Sequence, residues 1–123
     1  MTADLAGDAY VCGQTFSLLT NIVTVGAFQT NYMSGGTFAG DAFIAKIGPA
    51  GTNAVFITYL GGNGDNQAAG IAADSAGNTY ITGTTATGNF PVKNALFSTP
   101  PNTLWYSDYG EYGNNAFFDG TKY

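Results

Sequence analysis

The sequence has 123 residues, of which 45% are hydrophobic and 15% aromatic, and its formal net charge is −5. That length and apolar content suit one ordinary domain with a packed core. Only 9% of the residues are charged, and the many Gly, Thr and Asn residues are poor formers of long helices, so we expect an all-β fold. Three lysines against eight carboxylates offer no basic surface, which argues against nucleic acid as a partner.

Residues that the chain lacks exclude several kinds of site. Cys12 is the single cysteine, so an internal disulfide is impossible, and the absence of histidine removes the common zinc sites and the Ser/His and Cys/His catalytic pairs. We expect Cys12 to be a half-buried packing residue on a strand, with a reactive thiol as the alternative. No apolar run approaches the roughly 20 residues of a membrane-spanning helix, so membrane insertion is not expected. The first residues also lack the pattern of a signal peptide.

The main feature of the sequence is a repeat. DLAGDAYVCG at 4–13 returns as DSAGNTYITG at 74–83, an offset of 70. The similarity continues with small slips, since GAFQT at 26–30 aligns with NALFS at 94–98, and DAFIAKI at 41–47 aligns with NAFFDGT at 115–121. Repeats of this length are typical of β-propellers or solenoids.

Short segments rich in β-branched and aromatic residues alternate with turn signals along the chain. In chain order they predict strands near residues 8–15, 41–48, 54–60, 69–74 and 78–85, with almost no helix. GPAGTN at 48–53 and SAGN at 75–78 predict turns. Each repeat then holds four strands, and the small residues of AAGIAAD at 68–74 suit an innermost strand.

The predicted strands at 41–48 and 54–60 carry apolar residues on both faces. Phe43 and Ala45 lie on one side of their strand, and Ala42 and Ile44 lie on the other. A sheet with one solvent-exposed face would alternate apolar with polar residues along each strand. Because both faces are apolar here, these strands are expected to lie between two similar sheets. We therefore predict about two β-propeller blades of four antiparallel strands. The first is expected at 1–62, and a second, incomplete blade at 63–123 is expected to contain an aromatic loop at 100–114.

Five segments also match a known pattern: DAFIAKIGPAG (41–51), ITYLGG (57–62), IAADSAGNTYITG (71–83), NFPVKNALF (89–97) and GAFQT (26–30). They resemble the repeats of the bacterial and archaeal β-propeller family called SBBP, which run approximately DAFVAKLNPAG, STYLGG, IAVDSAGNAYVTG and FPVTPGAFQ. The resemblance covers most of residues 1–99, whereas 100–123 departs from it. It implies a secreted or surface-exposed propeller, hence an extracellular or cell-surface location, and it implies no particular activity.

Two aspartates are candidate metal ligands. We expect the Asp74 carboxylate to cap its turn, with Gly77 supplying a positive φ. The alternative is calcium at Asp65 or Asp74, because GGNGDN at 61–66 is similar to calcium loops. The toxin-type GGxGxD repeat needs its aspartate one position later, however, and the bidentate glutamate of an EF-hand is absent. No cofactor is therefore expected, and calcium stays as the open alternative.

The segment LWYSDYGEYG at 104–113 predicts an interaction loop, since aromatic side chains on a Gly-punctuated segment give contact area at low entropic cost. Its candidate contact residues are Trp105, Tyr106, Tyr109 and Tyr112. The alternative is a loop that folds back over its own blade. Asp108 and Glu111 offer the carboxylate pair of a glycoside hydrolase, but their spacing in sequence fixes no catalytic separation, so no enzyme activity is expected.

The repeat frame predicts open sheet faces. Met1 aligns with Ile71 inside a first strand, and Tyr123 follows the third strand of the second blade, so about one and three-quarter blades are expected. We expect a structural scaffold whose faces are covered by other copies of itself or by the remaining blades of a longer chain, with Phe56 or Ile57 facing a neighbouring copy. The alternative is an adhesion module that binds a surface glycan or protein through the long loops at 16–40 and 86–114.

Overall fold

The structure is a computed structural model that describes residues 1–19, 21–93, 95 and 115–116. All regular elements in this part are strands: β1 (Thr2–Ala3), β2 (Ala9–Thr15), β3 (Asp41–Ile47), β4 (Ala54–Leu60), β5 (Asn66–Ala73), β6 (Thr79–Thr85) and β7 (Asn115–Ala116). They form two antiparallel sheets with the orders β1-β2-β3-β4 and β5-β6-β7. The predicted all-β fold is confirmed, and the described residues include no helix that could cross a membrane.

Most strand ends lie within one residue of the prediction. The exception is β5, which starts at Asn66 instead of residue 69 because Asn66 pairs with Thr85 and its N–H donates to the Gly40 carbonyl at 2.8 Å. The pairing of β5 with β6 shifts register between Ala68 and Gly70, where a β-bulge places one extra residue in β5. β7 begins at residue 115, where the repeat alignment places the third strand of the second blade; residues 117–121 of that strand lie outside the described part.

Both faces of the first sheet carry buried residues, but in the described part of the chain a second sheet covers only one of them, whereas the sequence predicted a similar sheet on each side. Ile44 on one face is 3% exposed, while Ala45 and Tyr59 on the other face are 7% and 1% exposed. The first of these faces, which also carries Tyr10 and Cys12, packs against the second sheet, with β5 lying closest to β2. We call it the covered face. Cys12 is half-buried there, in agreement with its expected packing role.

The second sheet, in contrast, alternates between buried and exposed residues along β5 and β6. Its inner face packs on the first sheet and includes Ala68 and Ile81, which line a cleft between the two sheets together with Ala42 and Leu60. Its other face consists of Gln67, Gly70, Ala72, Tyr80, Thr82 and Thr84. All of these except the half-buried Gly70 are exposed, and we call this set the open face.

The long loop at 16–40 covers the outer edge of the first sheet. Thr24 N–H donates to the Ile57 carbonyl at 3.1 Å, and Tyr59 N–H donates to the Gln29 carbonyl at 3.1 Å. Leu19 N–H also donates to the Tyr59 hydroxyl. These bonds satisfy the free edge of β4 and protect it from pairing with another strand.

Phe56 does not have the environment expected for a contact with another copy. It lines an apolar groove together with Ile44, Leu60 and Ile81, so it points toward the second sheet of the same chain. The reason is the register of β4, which places Phe56 on the covered face opposite Lys46.

Candidate functional site

The turn after β1, residues 4–10, is built around one carboxylate, and we call it the Asp4 turn. One oxygen of Asp4 accepts hydrogen bonds from the N–H groups of Ala6 and Asp8, each at 3.0 Å. The other oxygen accepts the Tyr10 hydroxyl at 3.0 Å. Gly7 takes the positive φ that the turn needs, 88°.

The turn after β5, residues 74–80, repeats this arrangement, and we call it the Asp74 turn. Asp74 accepts hydrogen bonds from the N–H groups of Ala76 and Asn78 at 2.9 Å, and from the Tyr80 hydroxyl at 3.0 Å. Gly77 has a φ of 85°. The candidate metal ligand Asp74 therefore has the turn-capping bonds that the sequence predicts, with both oxygens engaged by protein donors.

Among the described residues, the Asp4 turn contacts a lysine and the Asp74 turn does not. Lys46 Nζ lies 2.8 Å from an oxygen of Asp8 and 3.5 Å from an oxygen of Asp4, and 4.9 Å from the centroid of the Tyr10 ring. The hydrogen bond to Asp8 is the main reason that the pKa of Lys46 is raised. Desolvation pushes the pKa of Asp4 upward, but the hydrogen bonds to the carboxylate and the charge of Lys46 outweigh it and leave that pKa lowered.

The Asp74 turn reaches a similar electrostatic result with no cation from the described part of the chain. The side-chain amide of Asn78 donates to Asp74 at 2.8 Å, and this bond is the main reason that the pKa of Asp74 is lowered. The same carboxylate raises the pKa of Tyr80, whose hydroxyl it holds by a hydrogen bond. In the aligned sequences Asn78 replaces Asp8 and Gly120 replaces Lys46, so the second copy lacks one acid and the base that pairs with it.

A buried polar junction joins the two sheets near the start of β3 and β5. Asp41 and Asn66 are both 0% exposed, and the Asn66 amide donates to Asp41 at 3.1 Å and to the Gly64 carbonyl at 2.7 Å. Ser34 Oγ donates to the Asp41 carboxylate at 2.7 Å, and Thr85 Oγ1 donates to the side-chain oxygen Oδ1 of Asn66 at 2.7 Å. Every group is paired, so the junction fixes how the sheets meet.

Asp65, the other candidate metal ligand, is exposed beside this junction. Its Oδ1 accepts the Gly40 N–H at 2.8 Å and the Gln14 side-chain amide at 2.6 Å. The loop GGNGDN thus ties the end of β2 to the long loop. No group of three His, Cys, Asp or Glu side chains in the described ranges is placed to hold a metal ion.

The two predicted long loops meet beside Asp65. Residues of the first loop, the GGNGDN loop and the first residue of the second loop line a cleft of about 710 Å³, which we call the Phe38 cleft. Its lining residues are Gly36, Thr37, Phe38, Ala39, Asn63, Gly64, Asp65 and Ala86. Phe38 stands out because its side chain is 84% exposed.

The predicted aromatic contact residues Trp105, Tyr106, Tyr109 and Tyr112 lie outside the described residues, as do Asp108 and Glu111. Sequence reasoning missed Asp41 and Asn66 as buried partners and Phe38 as a cleft residue. One signal was present for Asp41: the repeat alignment places it opposite Asn115, so both copies begin their third strand with an Asp or Asn.

Comparison with protein families gives one match. Residues 55–91 match the SBBP family model, described as a beta-propeller repeat. This stretch is therefore similar to an SBBP repeat. The repeat starts in β4 and continues through β5 and β6, so it links the outer strand of one sheet to the inner strands of the next. The match confirms the resemblance seen in the sequence, and comparison with curated proteins and with solved structures gave no match.

Proposed function

We propose that this protein is a non-catalytic structural module that stacks with further blade-like sheets in an extracellular or cell-surface assembly. The surface that binds is the open face of the second sheet. The occupant is another copy of the chain or further blades of a longer chain, and the chain's own sheet-on-sheet packing is the template for the contact.

One observation carries the proposal: equivalent positions on the two sheets have opposite environments. On the covered face Tyr10 is 0% exposed, because the second sheet packs over it. Tyr80 occupies the same place in the Asp74 turn and is 59% exposed. Within the residues that the structure describes, the same strand pattern thus presents one face that is covered by a sheet and one that is not.

The surface around Tyr80 supports a stacking role. Ala72 lies directly opposite Tyr80 in the ladder, and Gly70 lies opposite Thr82, so small side chains surround the ring and leave room for a neighbouring sheet. Burying apolar surface stabilises an assembly by about 25 cal/mol per Å². A face of one blade that packs on a different face of the next gives a head-to-tail contact, which closes into a ring or continues as a fibre.

The proposed location and lack of catalysis have separate support. The SBBP resemblance implies a secreted or surface-exposed protein. The carboxylates of Asp4, Asp41 and Asp74 serve as acceptors for turn and junction groups, which gives each of them a structural role.

The second candidate function is an adhesion module that binds a surface glycan or protein. The observation that favours it is the Phe38 cleft, where the two long loops meet around an exposed aromatic ring. Stacking and adhesion use different surfaces of the chain.

Size-exclusion chromatography with light scattering tests the stacking proposal. The mass of the wild-type chain should rise above 12.7 kDa as its concentration increases. Thr82→Asp places a charge on the open face and should return the mass to that of a monomer. Thr52→Asp, on the exposed β3–β4 turn, is the matched control and should assemble like the wild type. Equal masses for both variants would contradict the assigned surface.

A further inference from the structure

We propose that the Phe38 cleft is a binding site for a neutral saccharide. This site shares no residue with the open face, so it does not depend on the stacking function. The lining of the cleft combines an exposed aromatic ring with uncharged hydrogen-bonding groups and one carboxylate.

The loop that carries Phe38 is held rigidly at both ends. On one side Met33 N–H and Ser34 Oγ donate to the buried Asp41 carboxylate, and Gly35 N–H donates to the Asn63 carbonyl. On the other side Gly40 N–H donates to Asp65. A fixed aromatic ring presented to solvent loses little conformational entropy when a ligand packs on it.

The anchoring bonds leave Phe38 without a packing role. The Tyr32 hydroxyl donates to the Ala39 carbonyl at 2.8 Å, and Ala39 N–H donates to the Gly36 carbonyl at 3.2 Å, so these bonds shape the tip without the Phe38 side chain. The Phe38 ring is 84% exposed and contributes almost no buried surface to the fold. An aromatic side chain at such a tip supplies contact area for a partner.

The polar groups of the cleft offer both donors and acceptors. Within the described part of the chain, the Asn63 side-chain amide has one hydrogen-bond partner, the Thr87 hydroxyl, so at least one of its two amide N–H groups has no protein acceptor. Asp65 uses only Oδ1 in its bonds to Gly40 and Gln14. The Thr37 hydroxyl is exposed and has no described protein partner. Hydroxyls of a sugar both donate and accept, so they match this mixture.

Charge and hydrogen-bonding capacity separate a neutral sugar from the alternatives. As far as the structure describes the chain, the cleft lining contains no lysine or arginine and contains the Asp65 carboxylate, so an anionic ligand would be repelled. A lysine or arginine side chain carries donors only, so it would leave the Asn63 amide unpaired. The cleft volume of about 710 Å³ lies within the range of small-ligand sites.

Saturation-transfer difference NMR on the full chain tests the site, because it reports on the ligand and tolerates a large assembly. The neutral probes are maltotriose, cellotriose, mannotriose and tri-N-acetylchitotriose. The charged comparison probes are 3′-sialyllactose and trilysine. We expect transfer to at least one neutral trisaccharide, and we expect Phe38→Ala to weaken its binding about tenfold, a change that one lost aromatic contact produces.

The control variants distinguish binding at the Phe38 cleft from nonspecific binding elsewhere on the chain. Phe16→Ala removes a ring that is 62% exposed in the same loop but outside the cleft, and it should leave affinity within about twofold of wild type. Thr37→Val removes only a hydroxyl and should weaken binding by less than Phe38→Ala. Circular dichroism confirms the fold of each variant. The proposal is overturned if no neutral trisaccharide binds, if the two Phe variants bind equally, or if trilysine is the probe that depends on Phe38.

Discussion

In both the Asp4 turn and the Asp74 turn, the carboxylate accepts hydrogen bonds from two backbone N–H groups and from a tyrosine hydroxyl, yet the two turns lie in opposite environments. Tyr10 is fully buried under a second sheet and beside Lys46, whereas Tyr80 is 59% exposed. The local motif therefore determines the turn, and the neighbouring sheet determines the burial. A repeated sequence element therefore keeps its backbone geometry in both copies. Its contribution to the free energy of unfolding differs between the copies, because different elements pack against it.

The tyrosine pair should show this difference most strongly. Tyr10→Ala removes a fully buried ring and should lower the free energy of unfolding by about 3–5 kcal/mol. Tyr80→Ala removes an exposed ring and should lower it by less than half as much. Urea denaturation of both variants measures the two losses, and equal losses would contradict the assigned environments.

Replacing an asparagine should lower the stability more in the buried polar junction than in the exposed Asp74 turn. Asn66→Ala leaves the buried Asp41 with fewer donors and Thr85 without its acceptor, so it should lower the free energy of unfolding by about 2–4 kcal/mol. Asn78→Ala removes an exposed amide and should cost under about 1 kcal/mol. Urea denaturation measures the free energy of unfolding of both variants. A larger decrease for Asn78→Ala than for Asn66→Ala would show that the junction does not hold the sheets together.

Acid should weaken both turns. Hydrogen bonds lower the pKa values of Asp4 and Asp74 below the ordinary value of 3.8 in the folded state. Their stabilisation is therefore present above that value and is lost as the pH falls through the lower, folded pKa. Melting temperatures measured over a series of pH values should fall below about pH 4. The melting temperature of the Asp74→Asn variant should fall less over this pH range than that of the wild type. An unchanged pH profile would contradict the stabilising role of the Asp74 carboxylate.

The smallest expected effect is that of a chelator. Asp74 accepts protein donors on both oxygens, and Asp65 accepts the Gly40 N–H and the Gln14 amide, so we expect neither residue to depend on an ion. Differential scanning fluorimetry should give the same melting temperature with and without EDTA. A fall of many degrees would instead favour calcium bound at one of these aspartates.

Local features of this fold could be predicted from the sequence. The strands at 41–47 and 54–60 follow from short apolar runs between turn signals, and the Asp74 turn follows from residue types whose conformational preferences act within a few positions. The repeat then implied that a second copy would form the same turn. These predictions succeeded because each depends on neighbours in the chain.

Features that depend on distant partners could not be predicted. Asp41 looks like a polar strand end, but Ser34 and Asn66 converge on it from two other segments and bury it completely. Phe38 becomes a cleft residue only because the GGNGDN loop lies beside it. The alternation of residues around Phe56 fixes a face of its strand, but only the structure identifies the second sheet of the same chain as the neighbour of that face.

Thiol accessibility tests the central claim most directly, because Cys12 on the covered face aligns with Thr82 on the open face. The wild type places the thiol at position 12, and the double variant Cys12→Thr, Thr82→Cys moves it to position 82. Iodoacetamide should label Cys12 slowly at every protein concentration. It should label the thiol at position 82 rapidly in dilute solution, and more slowly as concentration rises and another sheet covers the open face. Rapid labelling of position 82 at all concentrations would contradict the stacking account.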